Sequence, residues 1–243
     1  MISKEELMDK ITYKEKYYVK SSEVDIHQKI KLSSLLKIFQ DLATEGSKIL
    51  DAGTDKTLDK GYLWVFSKLE ININRFPVYE ETINLSTYPN EMMHFIYPRT
   101  FLIKDLNDNL LVEATSFWCL INAQTRKIAL PSETGVGVDA PLKAKKIDNI
   151  ESKDVNLVSS RKVLYTDLDL NQHLNNTRYL DFICDLYDSN YFNINHIKKI
   201  NLSFVQEVKE KEVVDIYAST DNTYFLFKVN NIKVFECNIE YNN

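Results

Sequence analysis

The chain has 243 residues, 44% of them hydrophobic and 27% charged, an ordinary globular composition with room for one or two domains. Its five glycines and five prolines exclude collagen-like and low-complexity architectures, and Gly46, Gly53, Gly61, Gly135 and Gly137 form none of the glycine patterns of dinucleotide folds, P-loop NTPases or nucleophile-elbow hydrolases. A net charge of −5 gives no global footprint for nucleic acid, and with no apolar h-region in residues 1–10 and no run of about 18 apolar residues, neither a secretory signal nor a membrane span is expected.

Tyr13–Val19 is rich in aromatic and β-branched residues and predicts a strand. Over Lys31–Leu50, the apolar residues Leu32, Leu35, Leu36, Phe39, Leu42 and Ala43 fall on one helical stripe. Gly53 comes next as a candidate cap. From Leu63 the period becomes two: Leu63, Val65, Leu69, Ile71 and Ile73 share one face, and Lys68, Glu70, Asn72 and Asn74 the other. Strands are predicted at Thr82–Tyr88, His94–Lys104, Leu110–Asn122 and Arg126–Leu130, with Asn107-Asp108-Asn109 as a hairpin turn. The polar stretch 143–160 reads as a linker. The same order then recurs: a strand at Arg161–Tyr165, a helix over Leu174–Tyr187, and strands at Ile197–Val208, Val213–Thr220, Tyr224–Val229 and Lys233–Tyr241. Cys119, Cys184 and Cys237 are widely spaced and lack a C-x-x-C pair. They read as reduced cytoplasmic thiols used for packing.

The recurrence extends to residues. At an offset of 144, Ser22–Leu42 and Thr166–Leu186 share Asp25/Asp169, Gln28/Gln172, Leu36/Leu180, Asp41/Asp185 and Leu42/Leu186. Glu23/Asp167 keeps its type, and Glu81 aligns with Glu212 at a shorter offset. We therefore read two copies of one α+β unit, each a long helix followed by an antiparallel meander: residues 1–142, a linker at 143–160, and residues 161–243. An amphipathic helix must bury its stripe, and a sheet provides the surface.

The densest polar cluster is Asp167-Leu-Asp169-Leu-Asn171-Gln-His173-Leu-Asn175-Asn176, between a strand and a helix start. Helix capping accounts for Asp and Asn there. A calcium loop does not fit, because Gln172 stands where an EF-hand needs glycine and Arg178 where it needs glutamate. A lone histidine lacks the partners of a zinc site, so no metal is expected.

The stretch DLDLNQHLNNTRYLD resembles the signature of the acyl-ACP thioesterases, plant and bacterial. INLSFVQEV resembles the strand that carries that family's glutamate, and GYLWVFSKLEININRFPVYEETINLSTYP and ATSFWCLINAQTRKIALP resemble its first-half strands. The likeness runs from about Tyr13 to Tyr241. It implies a tandem hotdog fold and hydrolysis of fatty acyl-ACP to free fatty acid in the cytoplasm, without cofactor. The implied catalytic residues are Asp169, Asn171, His173 and Glu207. Val208 stands where plant members carry a cysteine after the glutamate.

In this reading Glu207 activates water, Asn171 positions water or carbonyl, His173 donates a hydrogen bond or protonates the leaving thiolate, and Asp169 orients them. Free amides at the helix start would stabilise the oxyanion. Glu207 is expected on an alternating strand, on one face with Val205 and Ser203. In the first half His27, Lys29 and Phe76 replace Asn171, His173 and, approximately, Glu207, which predicts a single site in the second half. Trp64, Phe66, Trp118 and the Met92-Met93 pair are candidate acyl-pocket residues. The implied partner, acyl carrier protein, is acidic, so Lys143, Lys145, Lys146, Arg161, Lys162, Lys198 and Lys199 are candidates to meet it. A homodimer is an open expectation. Rival readings are an acyl-CoA thioesterase, a hotdog dehydratase or hydratase acting on acyl thioesters, and a non-catalytic acyl sensor.

Overall fold

The structure, a computed structural model, describes residues 3–194 and 196–242. A short helix not foreseen from the sequence, α1 (Lys4–Ile11), opens it, closed by a capping box between Ser3 and Glu6. Strand β1 (Tyr13–Tyr18) leads through a 3₁₀ turn (Ser21–Glu23) to α2 (Leu32–Lys48), and then come α3 (Thr54–Asp59), β2 (Tyr62–Ile73), β3 (Thr82–Pro89), β4 (Tyr97–Lys104), β5 (Leu110–Asn122) and the single turn α4 (Pro131–Thr134). The second half repeats the plan. Strand β6 (Asn156–Lys162) and a 3₁₀ turn (Tyr165–Asp167) precede α5 (Asn176–Cys184) and α6 (Tyr191–Ile194), followed by β7 (Ile197–Phe204), β8 (Val213–Ala218), β9 (Tyr224–Val229) and β10 (Ile232–Tyr241).

Among the described residues, ten strands join one antiparallel sheet in the order β1-β3-β4-β5-β2-β7-β10-β9-β8-β6. The second five strands repeat the first five in reverse order, so a pseudo-twofold axis passes between β2 and β7. At that seam Leu69 pairs with Leu202, Glu70 with Asn201 and Ile71 with Ile200. The buried stripe of α2 (Leu35, Leu36, Phe39 and Leu42) and that of α5 (Leu180 and Ile183) belong to one core with Leu69, Ile71, Ile200 and Leu202. The two helices also pack on each other. This is the tandem hotdog: each helix buries its apolar stripe on a sheet, and the sheets share a central seam.

Several expectations shift. Gly53, read as a cap past the first long helix, adopts φ −63° and is the residue that opens α3, while α2 ends at Lys48. Arg126–Leu130 is not a strand. Asn122 N donates to Lys127 O at 2.8 Å, and after a single bridge between Ile121 and Ile128 the chain leaves the sheet, because Pro131 opens α4. The fourth strand starts at Tyr97 rather than His94, since His94 adopts φ +55° in the preceding turn. The second long helix begins later, at Asn176, with Asn175 as its cap. Leu174 instead donates its amide to Val208 O at 2.7 Å. Lastly, residues 156–160 of the expected linker are strand, paired with β8. The residues before them lie across the seam: Ile147 is buried, Lys199 reaches both Glu70 (3.0 Å) and Asp148 (3.4 Å), and Lys68 Nζ donates to Asn149 Oδ1 at 3.4 Å.

Candidate active site

Between the 3₁₀ turn of the second half and α5, the chain folds back on itself. Asp169 N donates to His173 O at 2.8 Å, and Gln172 N to Asp169 O at 3.1 Å. Gln172 takes φ +65° to complete the reversal. The Asp169 carboxylate holds the loop from within, accepting the amides of Asn171 (2.8 Å) and His173 (3.1 Å) on one oxygen. Its part in the geometry is to fix the backbone that presents the next two polar side chains. A bridge between His173 and Lys209 ties the loop to the segment after β7.

Those side chains line a cleft of about 400 Å³ together with Glu207, Trp64, Phe66, Tyr179 and Phe204. His173 Nε2 lies 3.5 Å from Glu207 Oε2. His173 Nδ1 is buried without a hydrogen-bond partner among the described residues. Asn176, the first residue of α5, also borders the cleft, while the Asn175 side chain caps Thr177 N at 3.0 Å. The Asn171 and His173 side chains and Glu207 are therefore brought together.

Glu207 reaches this position from a loop. Strand β7 ends at Phe204, because Val205 N and Gln206 N both donate to Val234 O, at 2.9 and 3.2 Å. Two amides on one carbonyl break the alternation, so the shared face with Val205 and Ser203 does not exist at Glu207, whose side chain is 41% exposed. Its other carboxylate oxygen pairs with Arg126 of the first half. Sequence reasoning missed Arg126, having placed it in a strand. The local signal available was Asn122, whose side chain caps the Gln124 and Thr125 amides and so marks a turn there.

No thiol competes for the role of nucleophile here. Val208 is buried. The Cys184 thiol is pushed up to about 12 by burial and the nearby Asp181 and Asp185 carboxylates, and it lines a different cavity. Cys119 borders the cleft, but burial pushes its thiol up as well.

That different cavity, about 560 Å³, contains Asp25, His27, Lys29 and Phe76, the first-half counterparts of the site residues. Asp25 holds the same turn, accepting His27 N (2.9 Å) and Lys29 N (3.0 Å). The side chains beyond it take other partners than those of the second half: His27 Nε2 lies 2.7 Å from Ser189 O, and Lys29 Nζ donates to Asn193 Oδ1 at 3.1 Å. The segment around α6 occupies the polar side chains of this copy.

The family model for the acyl-ACP thioesterase N-terminal domain matches residues 10–133, and that for the C-terminal domain matches residues 150–241. The chain belongs to the acyl-ACP thioesterase family. It is 23% identical over 232 residues to a chloroplastic acyl-[acyl-carrier-protein] hydrolase of Cuphea viscosissima, a match covering 88% of this chain and 56% of the relative. It is 23% identical over 241 residues to the chloroplastic oleoyl-acyl carrier protein thioesterase 2 of Arabidopsis thaliana, covering 88% and 64%. The chain thus spans between about half and two thirds of the length of these curated relatives. Among solved structures, an acyl-ACP thioesterase of Bacteroides thetaiotaomicron superimposes with a TM-score of 0.86 at 21% identity, over 99% of this chain and 100% of that one. A 12:0-ACP thioesterase of Umbellularia californica gives 0.80 at 18% identity, over 96% and 97%. At these identities the likeness concerns the fold.

The residues expected to line an acyl-ACP thioesterase's acyl pocket divide. Trp64 and Phe66 border the cleft. Trp118 stacks on Phe66, ring centroids 4.6 Å apart, and with Trp64 lines an adjoining smaller cavity. Met92 packs on the small core cluster beside them, while Met93 is exposed; neither borders these cavities. Of the basic residues expected to meet the carrier, Lys145 pairs with Glu113, Arg161 with Asp185, and Lys199 with Glu70 and Asp148. Their charges are already matched within the chain. Among the described residues, no helix is long and apolar enough to cross a membrane.

Proposed function

We propose that this chain hydrolyses the thioester of fatty acyl-ACP, releasing free fatty acid and carrier protein. The observation that carries the reading is the convergence of Asn171, His173 and Glu207 on one cleft walled by Trp64 and Phe66. An apolar wall beside a few placed polar groups suits a fatty chain with a polar reacting end. Glu207 removes a proton from water as its oxygen attacks the carbonyl carbon. Asn171 and the amide at the start of α5 meet the oxygen as it becomes negative. The carbon–sulfur bond then breaks, and the proton passes by way of His173 to the departing thiolate. Asp169 keeps the loop in register. Of the expected carrier-facing residues, Lys143, Lys146, Lys162 and Lys198 carry charges for which no internal ion pair is seen among the described residues, and they are the better candidates to meet an acidic carrier. A cytoplasmic location belongs to this reading, supported by three cysteines that are all free.

The test measures thiol release and free acid together on a panel of acyl-ACPs, with acyl-CoA of matched chain length beside them. Glu207→Gln and His173→Ala should each lower turnover by at least about tenfold, the scale of a lost acid–base group, with unchanged thermal melting. Full activity in both variants ends the site assignment. A preference for acyl-CoA redirects the substrate, and an enoyl or hydroxyacyl thioester product with no free thiol or acid points to a dehydratase or hydratase.

A further inference from the structure

Glu207 is a loop residue, and its side chain has two partners, each from a different half of the molecule. His173 Nε2 stands 3.5 Å from one oxygen. Arg126 pairs with the other. Arg126 is itself held in an uncommon way. The Asn122 side chain accepts the amides of Gln124 (3.0 Å) and Thr125 (2.9 Å), Arg126 N donates to Asn122 O at 2.9 Å, and Arg126 adopts φ +58°. Long side chains seldom take that left-handed conformation, and it persists where the surroundings demand it. The tight turn at the end of β5 thus fixes the root of a guanidinium that reaches across the seam between the halves into the same cleft.

A carboxylate on an exposed loop turns freely unless something holds it. A guanidinium with rigid donors fixes it better than a flexible ammonium. With one oxygen bound to Arg126, the other is left facing His173. We infer that Arg126 is the positioning residue for Glu207, holding its free oxygen toward His173 and the reacting centre. The inference rests on the reading of Glu207 as the base. It also gives the first half a part in the chemistry beyond walling the acyl chain.

The test uses the intact chain with acyl-ACP. Arg126→Ala and Arg126→Gln should lower kcat by about tenfold or more, since a displaced base costs up to about a hundredfold, with KM within about twofold and thermal melting unchanged. Arg126→Lys should fall between these variants and the parent. Guanidinium chloride at tens of millimolar should restore part of the kcat of Arg126→Ala, while sodium chloride at equal ionic strength should not. Adding Arg126→Ala to Glu207→Gln should cost little more than Glu207→Gln alone, as for groups acting through one another. The inference is overturned by an unchanged kcat in Arg126→Ala. It is equally overturned by a rise in KM at constant kcat, which would assign Arg126 to substrate binding. If Glu207→Gln is inactive and Arg126→Ala fully active, this inference alone fails. If Glu207→Gln is fully active, the reading of Glu207 fails and takes this one with it.

Discussion

Asp25 and Asp169 hold their loops by the same bonds, each accepting the amides two and four residues ahead on one carboxylate oxygen. Gln28 and Gln172 take the same positive φ, +62° and +65°. Glu23 and Asp167 each cap the amide three residues back, at 2.8 and 2.9 Å, as Glu81 and Glu212 do at 2.9 and 2.7 Å. The polar positions the two halves retain at these turns are thus turn-makers. The positions that differ, His27 against Asn171 and Lys29 against His173, line the same cavities as Asp25 and Asp169, but their side chains do not hold the turns. On the proposed reading this separates turn-holding residues from reacting ones. It yields a paired prediction: Asp25→Ala and Asp169→Ala should each destabilise by about 1–2 kcal/mol in urea titrations, from amides left without an acceptor. Only Asp169→Ala should also slow thioester hydrolysis. Equal activity losses in the two variants would contradict the division. At this scale the sequence was informative about Asp169, Asn171 and His173, because they are neighbours on one loop. At Arg126 it offered only the turn signal of Asn122, because the pairing with Glu207, 81 positions away, is a relation no local pattern encodes.

Elements were legible where a period was sustained. The stripe of α2 and the alternation of β2 and β10 are long enough to declare themselves, and the single-turn α4 and α6 are not. The strand expected at Ile197–Val208 ended early because pairing with β10, a long-range event, doubles up at Val234. One helix–strand contact could not be read from either element alone. Gly46 sits near the C-terminal end of α2, where an interior glycine costs about 1 kcal/mol against alanine. It faces Arg99 of β4: a Cβ at position 46 would lie 2.5 Å from Arg99 Nη1 and 3.0 Å from Thr87 Cγ2. Arg99 is buried with only Thr87 Oγ1, at 3.3 Å, as a side-chain partner of its guanidinium among the described residues, and burial pushes its pKa down to about 10. The glycine makes space for that cation. Gly46→Ala should therefore lower stability by up to about 2 kcal/mol, an overpacking cost of about 1–3 kcal/mol less about 1 kcal/mol of helix propensity. In an Arg99→Met background the cost should fall below about 0.5 kcal/mol, since the clashing head group is gone. Urea denaturation of the four proteins decides it, and an undiminished cost in the second background would place the crowding at Thr87 instead.

Joining two units through β2 and β7 gives the described residues one sheet and a main core that both halves share, and it places the cleft where both halves contribute side chains. On the proposed reading, one copy carries the reacting side chains while the other has different ones, and the arrangement holds only if the two do not come apart. The seam buries Ile71 against Ile200 and Leu69 against Leu202, each almost fully excluded from solvent, and the residues around Ile147 cover its other face. If the halves unfolded independently, an exposed β2 or β7 edge would be left as a pairing surface for other chains. The distribution of chromophores makes the alternative measurable. Both tryptophans of the chain, Trp64 and Trp118, lie in the first half, so their fluorescence reports that half, whereas far-ultraviolet circular dichroism reports both. One cooperative unit requires the two signals to trace a single urea transition. Ile200→Ala, a truncation in the second half, should cost about 2–5 kcal/mol. Because the core is shared, it should shift the tryptophan transition as far as the dichroism transition. If the fluorescence midpoint stayed in place while the dichroism midpoint fell, the two halves would be separate folding units. The cleft would then depend on their docking rather than on a common core.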